Sequence, residues 1–366
     1  MRILILNWRD VKHPKSGGAE IVTLEHAKFW ASRGHTVVWV TSSYDGAPKE
    51  EKVGGVTILH MGGSFTIYLY VMVYLLLHGR SYSVIVDEVH GLPFFTPLLT
   101  RVPHVVFIHE VAGDIWDYMW FFPVNVIGKM METLYFFIYR HCLFWTDAPS
   151  MVEEIVARGI PKSQCWAIPC PIHVPRTLPI PKEKEPTYIF VSRVVKMKGI
   201  EEVVKAFSFI QREQTRAKLW IVGGGEESYT KQLLSMTEEY GVAGNVFLFG
   251  KVTQVRKYEL MRRAHILLHA SVKEGWGLVI LEAASQGTPS VVYNVPGLRD
   301  VVQNGKSGII VPDNSPHEMA TLAIRLYNDK RRYRHIEKEG LRWVKQLHWT
   351  DVTTQSLALL KKAMKK

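Results

Sequence analysis

The chain has 366 residues, more than one ordinary hydrophobic core supports, so two domains are expected. With 47% apolar and 22% charged residues, the composition is that of a globular protein and excludes a disordered chain. The longest apolar runs, Val71–Leu77 and Leu134–Tyr139, are far shorter than the about 20 residues that a membrane-spanning helix needs.

The net charge of +11 is concentrated in the second half of the chain. Residues 1–175 contain 14 basic and 15 acidic residues, whereas residues 176–366 contain 31 and 19. Such a positive field suits a phosphorylated substrate, an anionic membrane surface or nucleic acid. The sequence has no zinc-finger, RNA-recognition or helix-turn-helix signature, so nucleic acid is not an expected partner.

A cytoplasmic location is expected, with the inner face of the membrane as the more specific alternative. Met1 is followed directly by Arg2 and a strand-like run, which is not the pattern of a secretory signal. Three cysteines, Cys142, Cys165 and Cys170, are odd in number and lack metal-ligand spacing, as is usual in a reducing compartment.

Strand-like and helix-like segments alternate along the first half. The expected strands are Arg2–Leu6, Thr36–Thr41, Val56–Leu59, Val84–Val86 and His104–Ile108, and the expected helices are Ala19–Arg33 and Ile67–Leu77. This alternation predicts a parallel sheet with helices on both faces. His109 follows the last of these strands, at the edge where such sheets bind ligands. The alternative is a surface histidine that caps the following turn.

A glycine-containing loop joins the first strand to the first helix. Gly17 and Gly18 lie just before the helix, which suits an anion at the helix N-terminus. A plain strand-to-helix turn is the alternative. No G-x-G-x-x-G follows this strand, so a dinucleotide site is not expected. The same loop carries Arg9, Lys12, His13 and Lys15.

The segment Trp116–Trp145 is unusually aromatic. Lys129, Glu132 and Arg140 interrupt it, so it is not a simple membrane span. An amphipathic aromatic surface of this kind docks at a bilayer interface or holds a lipid tail. An interior helix with aromatic packing is the alternative.

A proline-rich stretch from Pro169 to Pro186 predicts an interdomain linker, after which the alternation starts again. Three helical stretches close the chain from His317 onward. The expected strands of the second half are Tyr188–Val191, Leu219–Val222, Val246–Phe249, Ile266–His269, Ser290–Tyr293 and Gly308–Val311, with a helix at Ile200–Gln211.

The stretch Ala270–Gly287 carries the strongest chemical pattern. A buried strand leads into it, and Gly275 to Leu278 precede a helix whose N-terminus would cradle a phosphate. Glu274 stands on the loop. Glu282 stands about one turn or more inside the helix, on the side where a sugar would lie.

Taken together, the chain resembles the family-4 retaining glycosyltransferases of the GT-B fold. The segments that carry the resemblance are V-S-R-V-V-K-M-K-G (191–199), G-G-G (223–225), V-F-L-F-G-K-V (246–252), E-G-W-G-L-V-I-L-E (274–282) and A-A-S-Q-G-T-P-S-V (283–291), together with Gly17-Gly18 and His109. The joint Ile168-Pro169-Cys170-Pro171 departs from the family's usual Pro-Asn-Gly turn.

The resemblance implies an α/β fold with two doubly wound, Rossmann-like domains that face an interdomain cleft. The expected domains are residues 1–170 on the acceptor side and 187–346 for the nucleotide sugar. Residues 171–186 would link them, and the C-terminal helix, 347–366, would pack back on the first domain.

The resemblance also assigns roles to residues. Glu274 would contact hydroxyls of the transferred sugar and Glu282 those of the ribose, while backbone groups near Lys251 and Val252 would read the base. The expected catalytic residues are His109, Arg193, Lys198 and Glu274. The expected donor-binding residues are Gly17, Gly18, Gly224, Lys251, Val252, Gly275, Trp276, Gly277, Leu278 and Glu282; Arg9, Lys12, His13 and Lys15 are assigned to the acceptor side.

The expected reaction moves a sugar from a UDP- or GDP-linked donor to a glycan or lipid-linked glycan, with retention of configuration. No metal and no cofactor are expected besides the nucleotide sugar as co-substrate, since the sequence has no D-x-D motif. The expected partners are the donor, the acceptor and the anionic membrane surface. A transferase with a soluble acceptor, or a nucleotide-sugar-binding subunit without turnover, is the alternative.

Overall fold

A computed structural model describes residues 1–174 and 179–365. The chain forms two compact units, one of Met1–Cys170 with the segment from His348 onward and one of Pro171–Leu347. Four residues of the expected linker, 175–178, lie outside the described residues. The remainder of that stretch is grouped with the second unit.

The first unit is a helix-covered sheet of eight strands in the order β3-β4-β2-β1-β5-β6-β7-β8, all parallel except β3 against β4. Its strands are β1 (Arg2–Leu6), β2 (Thr36–Thr41), β3 (Glu50–Val53), β4 (Val56–His60), β5 (Val84–Val89), β6 (His104–Ile108), β7 (Leu143–Thr146) and β8 (Cys165–Ala167). Its helices are α1 (Gly18–Ser32), α2 (Ile67–His78), α3 (Ile115–Met119), α4 (Val124–Ile138), α5 (Pro149–Ala157) and, after those of the second unit, α13 (Trp349–Ala363).

Helices cover both faces of this sheet. The pairing of Leu4 with Ile85 and of Asp87 with Val106 puts alternate residues of the strands on one face. On that face α2, α4 and α5 bury their inner residues, with Ile67, Val71 and Leu75 of α2 among them. Helix α1 contacts α13, and His26 Nδ1 and Trp30 Nε1 reach the Ser356 hydroxyl at 2.9 and 3.1 Å.

The aromatic segment is partly interior and partly exposed. Helix α4 buries Gly128, Glu132, Tyr135 and Phe136, so one side of it is interior. The other side is exposed, with Met130 67% and Phe137 62% accessible. The last residues of the segment form strand β7, which the sequence pattern did not indicate.

The second unit is a wholly parallel sheet of six strands in the order β11-β10-β9-β12-β13-β14. Its strands are β9 (Thr187–Val191), β10 (Lys218–Val222), β11 (Val246–Gly250), β12 (Ile266–His269), β13 (Ser290–Tyr293) and β14 (Ile309–Val311). Its helices are α6 (Ile200–Glu213), α7 (Glu227–Glu239), α8 (Gln254–Arg263), α9 (Leu278–Ser285), α10 (Leu298–Val301), α11 (Pro316–Asn328) and α12 (Lys330–Gln346).

The strand orders give each unit a topological switch point, where connections leave in opposite directions from neighbouring strands. It lies between β1 and β5 in the first unit and between β9 and β12 in the second. Ligands of doubly wound sheets bind at the carboxyl ends of these strands. The expectation of two doubly wound α/β domains is confirmed.

Several elements differ from the sequence expectation. Strand β5 continues three residues beyond Val86, to Val89, and therefore includes Asp87 and Glu88. Strands β3 and β8 were not predicted, because E-E-K-V has no apolar alternation and C-W-A is only three residues long. Among the described residues, no helix combines the length and apolarity required to cross a bilayer.

Candidate active site

The second unit brings three side chains together at its switch point. Lys198 lies in the turn after β9, His269 ends β12 and Glu274 lies in the following loop. Lys198 Nζ donates to Glu274 Oε1 at 2.8 Å, and His269 Nε2 lies 2.9 Å from the same oxygen. These three residues, the Lys198–Glu274–His269 cluster, therefore occupy the ligand-binding edge of the sheet.

Electrostatics keep Glu274 ionised. Burial alone would raise the pKa of its carboxyl group, but the Lys198 ammonium and the His269 hydrogen bond outweigh burial and hold the pKa below its ordinary value. An ionised carboxylate only accepts hydrogen bonds. Glu274 is thus suited to hold hydroxyl groups and unsuited to donate a proton. The His269 ring is fully buried and stacked on Phe190 at 5.8 Å.

Two glycines allow the backbone to close around this cluster. A Cβ on Gly199 would lie 1.8 Å from the Ala270 carbonyl oxygen, and the residue has φ of 69°. A Cβ on Gly223 would lie 1.7 Å from the Ser192 carbonyl oxygen. Only glycine fits either position, so the G-G-G run and the glycine after Lys198 have a packing reason of their own.

The ends of β9, β10 and β11 hold four of the predicted donor-site residues: Arg193, Gly224, Lys251 and Val252. Arg193 and Lys251 are exposed. The Val194 amide donates to the Gly224 carbonyl at 2.8 Å, which ties the loop after β9 to the loop after β10. A Cβ on Gly224 would meet the Lys251 side chain at 3.7 Å. The structure therefore places these residues along neighbouring loops on one edge.

Helix α9 begins beside the Lys198–Glu274–His269 cluster. Its N-cap is Gly277 with φ of 86°, and Leu278 is its first residue. Gly275 and Trp276 complete the turn, and Trp276 is buried with 6% of its surface exposed. The first-turn N–H groups of a helix are anion donors. The predicted phosphate cradle is thus adjacent to Glu274 in the chain and in space.

Glu282 lies on α9, next to α8. Lys257 Nζ donates to Glu282 Oε1 at 2.6 Å, and the Tyr258 hydroxyl lies 3.3 Å from the same oxygen. Burial and Glu282 together raise the pKa of Tyr258 above its ordinary value, so this hydroxyl stays a donor. The pair with Lys257 was not anticipated from the sequence.

In the first unit, His109 lies between two carboxylates. Its Nδ1 is 2.5 Å from Asp147 Oδ2 and its Nε2 is 3.0 Å from Glu88 Oε1. His90 Nε2 contacts the same Glu88 oxygen at 3.0 Å, and the Thr23 hydroxyl donates to Glu88 Oε2 at 2.8 Å. This arrangement gives His109 a role beyond the capping of a surface turn.

Both carboxylates favour a charged His109. Burial alone would lower the pKa of this imidazole, but Asp147 and then Glu88 outweigh burial and raise the pKa to about 10. The Cys170 thiol donates to Asp147 Oδ1 at 3.0 Å, so the atypical Ile168-Pro169-Cys170-Pro171 joint contributes to this network. At neutral pH His109 is a fixed cation.

The Gly17-Gly18 loop hydrogen-bonds to Glu20 in the first turn of α1. The Gly17 amide donates to Glu20 Oε2 at 2.6 Å, and Arg9 Nη2 lies 2.8 Å from Glu20 Oε1. Gly17 is the N-cap of α1 and Gly18 is its first residue. Arg9 therefore braces this helix N-terminus in the structure.

The other cationic residues of this loop lie in different environments. Lys12 pairs with Glu51 of β3. His13 is buried, with ring centroids 5.6 Å from both Trp8 and Tyr44, and burial lowers its pKa. Lys15 is exposed. Among the four, Lys12 and Lys15 are exposed, and the Lys12 charge is paired with Glu51.

Two groups in the first unit have a donor set and spacing that a metal ion accepts. Each has its ligand atoms within 4.8 Å of one another among the described residues. The groups are Glu88 with His90 and His109, and Asp10 with Glu51 and His60. Their members already hydrogen-bond to one another, for example His60 Nε2 to Asp10 Oδ2 at 2.9 Å.

Sequence reasoning missed Glu88, Asp147, His269 and Lys257. Glu88 is the penultimate residue of β5, Asp147 directly follows β7 and His269 ends β12, so all three lie near a strand end, as His109 does. Their roles depend on partners between 5 and 38 residues away along the chain, such as Asp147 for His109. Lys257 had no signal beyond its charge on a helix.

The architecture and the two strand-end clusters define a class of two-unit α/β proteins with charged clusters at the carboxyl ends of their strands. Family models agree with that class: "Glycosyltransferase Family 4" matches residues 16–176 and "Glycosyl transferases group 1" matches residues 179–343. The chain belongs to the family-4 glycosyltransferases and has the GT-B fold.

Curated relatives match part of the chain. N-acetyl-alpha-D-glucosaminyl L-malate synthase of Bacillus anthracis is 33% identical over 154 residues, which is 42% of this chain and 39% of the relative. A GDP-mannose-dependent alpha-(1-6)-phosphatidylinositol monomannoside mannosyltransferase of Mycobacterium tuberculosis is 29% identical and covers 47% of this chain and 46% of the relative. Each match thus spans less than half the length of the relative.

Solved structures match the whole chain in fold. Sucrose-phosphate synthase from Thermosynechococcus elongatus has a TM-score of 0.81 at 20% identity and covers 99% of this chain and 98% of its own. WaaG, a glycosyltransferase involved in lipopolysaccharide biosynthesis, has a TM-score of 0.78 at 16% identity, with 98% and 99% covered. At these identities the likeness establishes the fold.

Proposed function

We propose that this chain transfers a sugar from a UDP- or GDP-linked donor to a glycan or lipid-linked glycan, with retention of anomeric configuration. The Lys198–Glu274–His269 cluster carries the proposal. It places a cation and an ionised carboxylate at the switch point of the second unit, beside the N-terminus of α9.

The donor's leaving group is a nucleoside diphosphate, and its developing negative charge is the main quantity to stabilise. The proposal assigns this charge to Lys198, to the exposed guanidinium of Arg193 and to the amides at the start of α9. It includes neither a metal ion nor a further cofactor, because these groups supply the positive charge and the sequence has no D-x-D motif.

Glu274 holds hydroxyls of the transferred sugar in this proposal. Lys198 and His269 both engage Oε1, so Oε2 is the oxygen assigned to the sugar. Glu282 holds the ribose in the same manner, since Lys257 and Tyr258 both engage its Oε1. Glu274 is not assigned as a nucleophile; retention would follow from departure and attack on one face within an ion pair.

His109 contributes a fixed positive charge to the donor sugar's surroundings in this proposal. Because Glu88 and Asp147 hold it protonated, it orients a group and does not shuttle a proton. The Gly17-Gly18 loop is assigned to the donor's phosphates. Arg9, Lys12, His13 and Lys15 are assigned to the acceptor side, with Lys15 as the contact and His13 as packing support.

A lipid-linked acceptor is favoured over a soluble one, which places the chain in the cytoplasm at the inner face of the membrane and in cell-surface polysaccharide or glycoconjugate synthesis. Two observations support this: one curated relative is named for a phosphatidylinositol mannoside, and α4 exposes a row of apolar side chains. The soluble alternative has support as well, since other relatives are named for malate and inositol phosphate.

Donor choice is tested by thermal shift with UDP, GDP, ADP and their sugars, since a ligand that binds the native state raises its apparent stability. The product's anomeric proton coupling then reports retention. A nucleotide-sugar-binding subunit without turnover is the third candidate. It would bind a donor yet release no nucleotide with any acceptor, which would contradict the proposed transfer.

A further inference from the structure

Most of the exposed apolar surface of the protein lies in one part of the first unit. Of the 26 large apolar residues that are exposed among the described residues, 19 lie between residues 65 and 137. Only four belong to the second unit: Val174, Leu234, Phe247 and Val255. Contiguous apolar surface on a water-facing protein marks an interaction site.

Helix α2 contributes six of these 19 residues, and the sequence had not indicated that they are exposed. Its inner residues fill the core, but Leu69, Val73, Leu76 and Leu77 are 46–72% exposed. Phe65, just before the helix, is 91% exposed. The helix I-Y-L-Y-V-M-V-Y-L-L-L-H carries no acidic residue, lysine or arginine, so nothing on it favours contact with water over contact with an apolar partner.

The α3–α4 segment contributes 11 of the 19. Trp120, Phe121 and Phe122 join the two helices and are 49–92% exposed. Along α4, after the exposed first residue Val124, the exposed apolar residues are Val126, Ile127, Met130, Leu134 and Phe137, a spacing that keeps these five on one side of the helix. Because α2 and α4 pack on the same face of the sheet, their outer sides form one surface. We call it the α2–α4 apolar face.

A shallow apolar groove runs along this face. It has a volume of about 350 Å³ and is lined by Leu69, Tyr70, Val73, Tyr74 and Leu77 of α2 together with Met61 and His78. Leu98, which is 67% exposed, lies in the connection between the two helices.

The charges along one edge of the face are basic. Arg80, Arg101 and Arg140 precede the neighbouring strands β5, β6 and β7 and therefore lie along one edge of the sheet, and all three are exposed. At the other end, Asp117 pairs with Lys129 at 2.5 Å, and Asp114 is exposed. The sequence from 61 to 86 and from 89 to 109 contains no Asp or Glu.

We infer that the α2–α4 apolar face inserts into the surface of an anionic bilayer, with Arg80, Arg101 and Arg140 on the lipid phosphates. Aromatic side chains and apolar helix faces settle at the headgroup boundary, and each nearby arginine adds attraction to anionic lipid. A protein partner would need an apolar surface with acidic groups placed around it. An anionic bilayer supplies acidic headgroups and an apolar interior over any area. The inference deepens the proposed lipid-linked acceptor by naming the surface that reaches it.

Flotation with vesicles tests this directly. The full chain should float with phosphatidylcholine–phosphatidylglycerol vesicles and far less with phosphatidylcholine alone. Leu69→Ser/Leu76→Ser should lower the partition coefficient at least about tenfold. Arg80→Gln/Arg101→Gln should lower it by a similar factor on anionic vesicles only. The matched control, Leu234→Ser/Val255→Ser, changes two exposed helical residues of the second unit and should float like the wild type.

Two results would overturn the inference. One is a failed flotation test, in which the wild type floats with neither vesicle or the Leu69→Ser/Leu76→Ser variant floats like the wild type. The other is a stable dimer in vesicle-free solution that this variant dissociates, which would assign the face to a second copy of the chain. Thermal unfolding of each variant shows that it is folded. Nucleotide release from the donor is the separate readout: if release persists without flotation, only the docking inference fails.

Discussion

The role of Lys198 is the most direct point at which structure predicts chemistry. Replacing it by methionine keeps the length of the side chain and removes the charge that would face the donor diphosphate. A hydrogen bond to a charged group contributes about 1.5–3 kcal/mol. Since about 1.4 kcal/mol is tenfold in affinity, Lys198→Met should weaken UDP or GDP binding by about tenfold to 150-fold. Titration calorimetry measures the affinity of wild type and variant for the nucleoside diphosphate and for the bare nucleoside.

The same substitution removes a partner of Glu274, so stability needs its own control. The two side chains are only 12% and 13% exposed, and breaking a buried pair costs about 3 kcal/mol or more. Lys198→Met/Glu274→Gln removes both charges and should recover most of that loss in thermal unfolding, without recovery of diphosphate affinity. Equal loss of nucleoside and diphosphate binding, or no loss of either, would refute the assignment of Lys198.

Three other substitutions test the remaining parts of the site. Asp147→Asn removes a carboxylate that raises the pKa of His109 to about 10. A raised His109 pKa stabilises the fold below the unfolded value of about 6.5, and this gain is lost as pH rises through about 10. Wild type and variant should therefore differ most in unfolding temperature just below about pH 6.5 and converge near pH 10. Donor turnover, level across neutral pH in the wild type, should fall with rising pH in the variant; identical profiles would contradict this. Gly199→Ala should destabilise by several kcal/mol more than Gly46→Ala, which shares a positive φ but has nothing within 4 Å of its Cβ, and equal unfolding temperatures would contradict the predicted clash. His269→Phe should lower turnover about tenfold with little change in donor affinity, because Glu274 loses orientation, and His269→Gln should restore part of it; an unchanged turnover would remove His269 from the account.

Secondary structure was predictable for several strands that are buried on both faces. Arg2–Leu6, Thr36–Thr41 and His104–Ile108 were predicted to the residue because a continuous β-branched and aliphatic run ends abruptly at a polar residue. Strand β3 was missed since its E-E-K-V sequence is held by antiparallel pairing to β4, a long-range cause that a local pattern does not carry.

The candidate site was predictable in position but not in connectivity. Strand ends and glycine turns indicated that Lys198, Glu274 and His109 follow the carboxyl ends of sheet strands, and the structure places them there. The partner of each depends on which strands become neighbours: Lys198 and Glu274 are 76 residues apart and His109 and Asp147 are 38 apart. Sequence spacing contains no information about such pairs.

In the cationic loop before α1, the sequence likewise did not show which acidic residues would pair with the cations. Four cationic or titratable side chains within seven residues, 9–15, indicated an open anion site. In the structure Arg9 reaches Glu20 and Lys12 reaches Glu51, while His13 is buried. Charge count alone therefore overestimated the free positive charge of this loop, because the acidic partners come from α1 and β3.

Which side chains of α2 are exposed could not be predicted from the sequence either. The helix Ile67–Leu77 was predicted from its apolar content, which is equally consistent with complete burial. Only the packing of α2 on one face of the sheet shows that Leu69, Leu76 and Leu77 remain outside.

The central claim is that the second unit activates a nucleotide sugar at the Lys198–Glu274–His269 cluster. The most direct measurement is release of nucleoside diphosphate from UDP- and GDP-linked sugars by the wild type, Lys198→Met and Glu274→Gln. The account predicts steady release by the wild type with one of the two donors, and loss of about 100-fold or more in both variants. Release by the folded variants at the wild-type rate would contradict it.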